Sequence, residues 1–416
     1  MNRDTGKKRV VVTGAGGISS LGCQWDEIET RLRALKNAVR VIDEWKDIKN
    51  LKTCLGAPAV DFTLPPERYN RKTMRSMGRV AVLACRATEF ALADAGLLED
   101  RAFLTSGRVG VSYGSSAGAM DATAAFARLL DTREVDGLNA ASYIRMMPHT
   151  TPANIAVFYG LTGRVHTTSS ACTSGSQGIG YAFETLQHGH ADAMIAGGAD
   201  ELSMAVLAVF DTLYAASTKD ATPSLTPRPY DRDRDGLVIG EGGCTLILEE
   251  YEHAKARGAK IYAELVGYGT NCDGTHVTQP RAETQAICMR LALASAGLPP
   301  EAIAYVNGHG TSTEAGDIVE SLATHEVFGS RMPISSLKSY MGHTLGAAGS
   351  LEAWMTIAMM RANWFAPTLN LDHVDPRCGE LDYIAGQGRD LECEYVMSNN
   401  FAFGGINTSL IFRRIP

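Results

Sequence analysis

Several short segments of this 416-residue chain place a reactive side chain among small ones. In TTSSACTSGSQGIG the lone thiol is Cys172, and a helix-like pattern follows at Ile179, Ala182, Phe183 and Leu186. A thiol at a helix N-terminus meets unpaired N–H groups and the positive end of the dipole, and both favour thiolate, the nucleophilic form. Small neighbours leave room for a bulky acyl group on sulfur. Taken alone, the segment also fits an inert packing cysteine or a metal ligand. Cys85 and Cys288, inside apolar helical patterns, read as packing residues.

YVNGHGTSTEAGD carries His309 directly after a strand-like run, with glycine on both sides. SSLKSYMGHTLGAAG carries Lys338 and His343 between a strand and a glycine–alanine helix. In open α/β folds, ligands gather at the carboxyl ends of strands, so two glycine-flanked histidines in such loops point to one site. Their spacing lacks the close pairing of helical zinc motifs, and no metal is expected. His188, His190 and His253 read as surface residues. In SNNFAFGGINTS the pair Gly404–Gly405 marks a tight turn, flanked by Phe401 and Phe403. That loop reads either as hairpin packing or as a pocket gate that offers a backbone N–H.

These loops need a scaffold, and the rest of the chain alternates strand-like and helix-like runs. RVVVTG, VGVSYG, ADAMIAGGAD, IYAELVGYGT and IAYVNGHG read as strands, while VAVLACRATEFALADAGL, TQAICMRLALASAGL, DIVESLATHEVFG and GAAGSLEAWMTIAMMRAN read as helices. The alternation predicts α/β architecture. Two similar halves meeting near residues 251–260 suggest an internal duplication, with Ser217–Asp235 as a long loop. VVVTGAGGISS invites a dinucleotide reading, but Ser19 stands where the third fingerprint glycine would fall and no ribose-binding acid follows. A glycine-rich scaffold turn is expected there.

Composition narrows the class. Hydrophobic residues are 45% and charged residues 20%, which suits a globular protein with a sizeable core. A net charge of −7 argues against a general nucleic-acid-binding surface. No run approaches the roughly 20 apolar residues of a membrane span. The nine cysteines show no CxxC spacing, so a reducing cytoplasm is expected rather than a disulfide framework.

Taken together, SSACTSG, PYDRDRDGLVIGEGG, NGHGTST, SSLKS with GHTLGAAG, and NNFAFGG resemble, in order and almost end to end, the beta-ketoacyl-acyl carrier protein synthases of the elongating type. The resemblance implies a thiolase-like duplicated α/β fold, layered αβαβα, with halves 1–255 and 256–416. It implies that Cys172 carries the acyl chain, that the N–H groups of Cys172 and Phe403 form an oxyanion hole, and that His309 and His343 assist malonyl decarboxylation. Lys338 would tune the histidines with Glu352 as its partner. Thr311 and Thr313 would contact the phosphopantetheine arm, and Phe403 would be the gate, with Phe401 beside the substrate. It implies no cofactor, an acyl carrier protein as partner, and a homodimer or a heterodimer with a related subunit.

Departures matter too. Where the family often has a Met-Asp pair, Met74 is followed by Arg75, within a basic cluster of Arg68, Arg71 and Lys72. These residues and Lys219 are expected to dock an acidic carrier protein. Ala117, in YGSSAGAMD, replaces a larger aliphatic residue of the acyl pocket and leaves room for a long or rigid chain, as in polyketide or aryl-polyene synthesis. A degradative thiolase would carry a second cysteine in the C-terminal loop, which here reads NNFAFGGINTS; initiating synthases have histidine and asparagine where this chain has His309 and His343. A non-catalytic chain-length partner would typically lack Cys172.

Overall fold

The computed structural model describes residues 6–415. Eleven strands form one continuous sheet. On the N-terminal side lie β1 (Val10–Ile18), β2 (Val109–Gly114), β3 (Val165–Thr168), β4 (Ala193–Asp200) and β5 (Gly242–Glu250). On the C-terminal side lie β6 (Ala263–Cys272), β7 (Ile303–Asn307), β8 (Pro333–Ser335), β9 (Asp382–Tyr383), β10 (Tyr395–Ala402) and β11 (Ile406–Arg413). The spatial order is β9-β8-β7-β10-β11-β6-β1-β5-β4-β2-β3.

Both sides of the β1/β6 seam follow the same plan. β1 is antiparallel to β5, β5 to β4, and β4 runs parallel to β2 and β2 to β3. Likewise β6 is antiparallel to β11, β11 to β10, and β10 runs parallel to β7 and β7 to β8. Three helices serve each half: α1 (Arg79–Asp94), α2 (Thr150–Tyr159) and α3 (Ser174–Gln187), then α4 (Ala282–Ala296), α5 (Glu314–Phe328) and α6 (Ala348–Ala362). α1 and α2 cover the outer face of one half, and α4 and α5 cover the other. α3 and α6 pack on each other and touch strands of both halves, so they form the central layer of an αβαβα stack. Because both faces of the inner strands are covered, β2, β4 and β5 are buried at every residue rather than alternating.

One expectation fails at β1. Its glycines do not form a turn; they lie inside the strand. A Cβ on Gly14 would stand 2.4 Å from the Ala91 carbonyl oxygen of α1, and one on Gly17 would stand 2.4 Å from the Trp354 ring of α6. Helices press on the strand from both faces, so glycine here buys close packing rather than a phosphate cradle. The run PISSLKS is also only part strand: β8 ends at Ser335, and Lys338 opens a short helical turn, Lys338–Met341. His253 is not simply at the surface, since its Nδ1 lies 2.6 Å from the buried carboxylate of Glu249. Among the described residues, no helix is long and apolar enough to cross a membrane.

Candidate active site

Cys172 lies between β3 and α3, on a 3₁₀ turn spanning Ala171–Thr173. Ala171 is held at φ 50°. This left-handed conformation costs an L-residue about 1–2 kcal/mol, and Ser174 offsets that cost. Its hydroxyl accepts from the Ser170 N–H at 2.9 Å and donates to the Ala171 carbonyl at 2.7 Å. The sharp turn sets the thiol at the N-terminal entrance of α3, inside the protein.

His343 approaches from the other half. Its Nε2 is 2.9 Å from the Cys172 sulfur, across 171 residues of chain. Its Nδ1 accepts from the Leu345 N–H at 3.3 Å, so the neutral ring carries its proton on Nε2 and aims it at sulfur. His309 stands edge-on to His343, with ring centroids 5.1 Å apart at 88°. The Asn400 side-chain amide faces His309 Nδ1 at 3.4 Å, which selects the same tautomer. Sulfur and one nitrogen from each ring lie within 4.8 Å of one another. The same three atoms would suffice as metal donors, but the nearby Lys338 ammonium, which acts on all three groups, opposes a further cation.

Burial decides the protonation states. Desolvation, reinforced by the Lys338 charge, holds both His309 and His343 well below the ordinary histidine value, so both rings are neutral near pH 7. Desolvation also pushes the Cys172 thiol up to about 12. Lys338 and the backbone N–H groups of Phe403 and Cys172 lower it, and Asp200 raises it. Loss of water thus opposes the thiolate that the helix N-terminus favours. The N–H groups expected to form an oxyanion hole do face the sulfur.

Lys338 pairs with Glu352, both fully buried. The other Glu352 oxygen accepts from Asn400 at 2.7 Å, and Asn400 reaches on to His309. Glu320 was not foreseen in the sequence. From α5, its two oxygens accept the His309 and Gly310 N–H groups at 2.5 and 2.6 Å, with the Tyr230 hydroxyl donating at 3.1 Å. Burial raises this carboxyl to about 7. Its only sequence signal is the i, i+3 pair of Asp317 and Glu320 on a helix that begins just after the His309 loop.

A cavity of about 380 Å³ opens onto Cys172, His309 and His343. Thr311 and Thr313 line it with their hydroxyl oxygens 2.9 Å apart, and Phe401 lines it 6.2 Å from the His309 ring. Phe403 stands at the rim, 38% exposed and 5.6 Å from the Phe210 ring. Gly404 and Gly405 behind it have φ 88° and 71°, so the turn demands glycine. Ala117 is not among the cavity-lining residues; it lies half-buried in the loop after β2. The expected docking cations divide. Arg71 and Lys72 are exposed, whereas Arg68 pairs with Glu99 at 2.5 Å and Lys219 with Asp235 at 3.5 Å.

Comparison with known proteins agrees with this geometry. Residues 7–254 match the beta-ketoacyl synthase N-terminal domain and residues 262–372 the C-terminal domain. The 3-oxoacyl-[acyl-carrier-protein] synthase 1 of Haemophilus influenzae is 38% identical, covering 98% of this chain and 99% of the relative. A crystal structure of a beta-ketoacyl synthase from Burkholderia phymatum is 59% identical with a TM-score of 0.97, covering 98% of this chain and all of that one. The ishigamide ketosynthase/chain length factor structure is 31% identical with a TM-score of 0.90, covering 99% of this chain and all of that one. With its two half-domains, its Cys-His-His cluster and relatives that match over nearly their full length, the chain belongs to the beta-ketoacyl synthase family.

Proposed function

We propose that this protein elongates acyl chains by decarboxylative condensation of a malonyl thioester with an acyl group held on Cys172, giving a 3-oxoacyl thioester on an acyl carrier protein. One observation carries the reading: the sulfur, the His343 Nε2, one ring nitrogen of His309 and two backbone N–H groups converge on a single cavity. In the first half-reaction the Cys172 sulfur attacks the acyl thioester carbonyl, the carrier thiol leaves with the proton, and the N–H groups of Cys172 and Phe403 bind the transient oxyanion. In the second, the bond to the malonyl carboxylate breaks and carbon dioxide departs. His309 and His343 donate hydrogen bonds to the enolate oxygen. The enolate carbon attacks the acyl carbonyl, the C–S bond to Cys172 breaks, and the released thiolate takes up one proton from solvent to restore the thiol.

Other parts of the reading rest on specific features. Thr311 and Thr313 line the way in and suit a polar phosphopantetheine arm. Lys338 and Glu352 tune the histidines. Arg71 and Lys72, exposed cations, suit docking of an acidic carrier protein. Residues 1–255 and 256–416 form the duplicated halves, supported by their matching strand order. Nine free cysteines suit the cytoplasm. Likeness to a ketosynthase/chain length factor structure favours a second reading, a ketosynthase for long or rigid chains, working as a homodimer or beside a related chain-length subunit; Ala117 supports it by residue type alone, since it lies off the cavity.

The test is condensation of malonyl-acyl carrier protein with a panel of saturated and polyene acyl-carrier proteins, resolved by mass. The wild type should yield chains two carbons longer, and Cys172→Ala should yield none. Full condensation by Cys172→Ala would refute the nucleophile assignment.

A further inference from the structure

Asp200 is a buried acid that the condensation scheme leaves unused. It ends β4 and is 2% exposed. One oxygen accepts from the Ser115 hydroxyl at 2.8 Å, the other from the Gly346 N–H at 2.6 Å, and the Ser116 N–H is shared between the two at 3.1 Å. Ser115 in turn accepts from the Gly118 N–H at 3.1 Å, which secures the loop on both sides of Ala117. Gly346 lies on the turn Leu345–Ala347, whose first N–H selects the His343 tautomer. Leu345 is itself held at φ 52°, so this turn needs outside support.

The surroundings admit no larger residues. A Cβ on Gly346 would stand 2.7 Å from the Asp200 carboxylate, and one on Gly198 would stand 2.2 Å from the Gly346 carbonyl oxygen. A Cβ on Gly175, at the start of the helix that follows Cys172, would stand 2.7 Å from that same oxygen. The nucleophile turn, the histidine turn and the Ala117 loop therefore meet where Asp200 projects. Among the described residues, no cation forms an ion pair with it.

We propose that Asp200 is a positioning residue, a clamp that holds the His343 turn and the Ala117 loop in register and sets an uncompensated negative charge near the Cys172 pocket. It acts through Gly346, Ser115 and Ser116 and touches no substrate. The inference deepens the ketosynthase reading and rests on it. Its charge bears on the thiol together with Lys338, while His309 and His343 complete the titratable groups facing the sulfur. Lys338 lowers the thiol and Asp200 raises it.

Asp200→Asn separates charge from clamp. The Asn carbonyl still accepts from Gly346 and Ser116, and its amide can donate to a rotated Ser115 hydroxyl. The measurement is iodoacetamide alkylation of Cys172 across pH, read by peptide mass mapping so that the exposed Cys272 does not contribute. Asp200→Asn should move the profile about one unit lower, which is about tenfold faster alkylation at a fixed pH below the thiol pKa. A profile that superimposes on wild type would overturn the charge role. Asp200→Ala removes the clamp and should lower kcat by about 100-fold, with Asp200→Asn within a few-fold of wild type. If Asp200→Ala retains wild-type kcat, the clamp is refuted; if it does not fold, equal kcat losses in Asp200→Asn and Asp200→Glu, which shifts the carboxylate, would refute it instead. Alkylation needs no condensation, so failure of the ketosynthase reading would leave its outcome readable.

Discussion

Replacing Lys338 by methionine tests the electrostatics of the site most directly. The ammonium and the Glu352 carboxylate are both buried, and if the lysine is lost Glu352 keeps the neutral amides of Asn400 and Asn307 but loses its cationic partner. Removing one member of a buried pair strands the other and costs about 3–5 kcal/mol. An unfolding entropy of about 2 cal/mol/K per residue makes this a drop of about 3–6 °C in Tm for a chain of this size. Activity should respond separately. Lys338 helps hold His309 and His343 low, so its loss raises both, and the acid limb of the kcat/KM profile moves to higher pH. The Cys172 thiol, which Lys338 lowers, climbs further, and alkylation slows at fixed pH. The control is Lys338→Met with Glu352→Gln, which deletes both charges yet keeps an acceptor for Asn400. It should recover most of the melting temperature and none of the pH shift. A Lys338→Met variant that melts within about 1 °C of wild type, with an unmoved acid limb, would refute this account.

Further outcomes follow from the same geometry. Because both histidines are depressed in the folded state, their contribution is present above the unfolded value near 6.5 and is lost as pH falls through the folded values. Each adds up to about 1.4 kcal/mol per pH unit to the acid-side slope of stability. Denaturant titrations of His309→Asn/His343→Asn should show a shallower slope, and an equal slope would count against buried neutral rings. Arg71→Glu/Lys72→Glu should raise the carrier-protein KM about tenfold at low salt, with the difference shrinking as salt is added; unchanged KM would remove these residues from the docking surface. Ala117→Ile should shorten the longest product resolved by mass, and an unaltered distribution would detach Ala117 from chain length.

Much of the site was legible because its chemistry sits in loops whose composition is unusual. Cys172, His309, Lys338 and His343 each stand among small residues at a strand end or helix start, and the structure gathers them from both halves of the chain. The strand–helix alternation likewise announced a duplicated α/β fold. Glu320 and Asp200 escaped notice because a carboxylate on a helix or strand end looks the same whether it faces water or accepts two backbone N–H groups. Arg68 and Lys219 read as docking cations, since nothing in their local sequence reveals the acidic partners, Glu99 and Asp235, that the fold supplies.

The sequence by itself determined which groups are available: one thiol in a small-residue turn, two glycine-flanked imidazoles, a lysine, and a glycine gate. Only the tertiary structure decided what state they are in. The glycines of β1 proved to be contact surfaces for two helices, because close approach depends on what packs against a strand. Burial pushes the thiol up and the imidazoles down, because desolvation depends on residues far away in the chain and works against the helix N-terminus that the local sequence reveals.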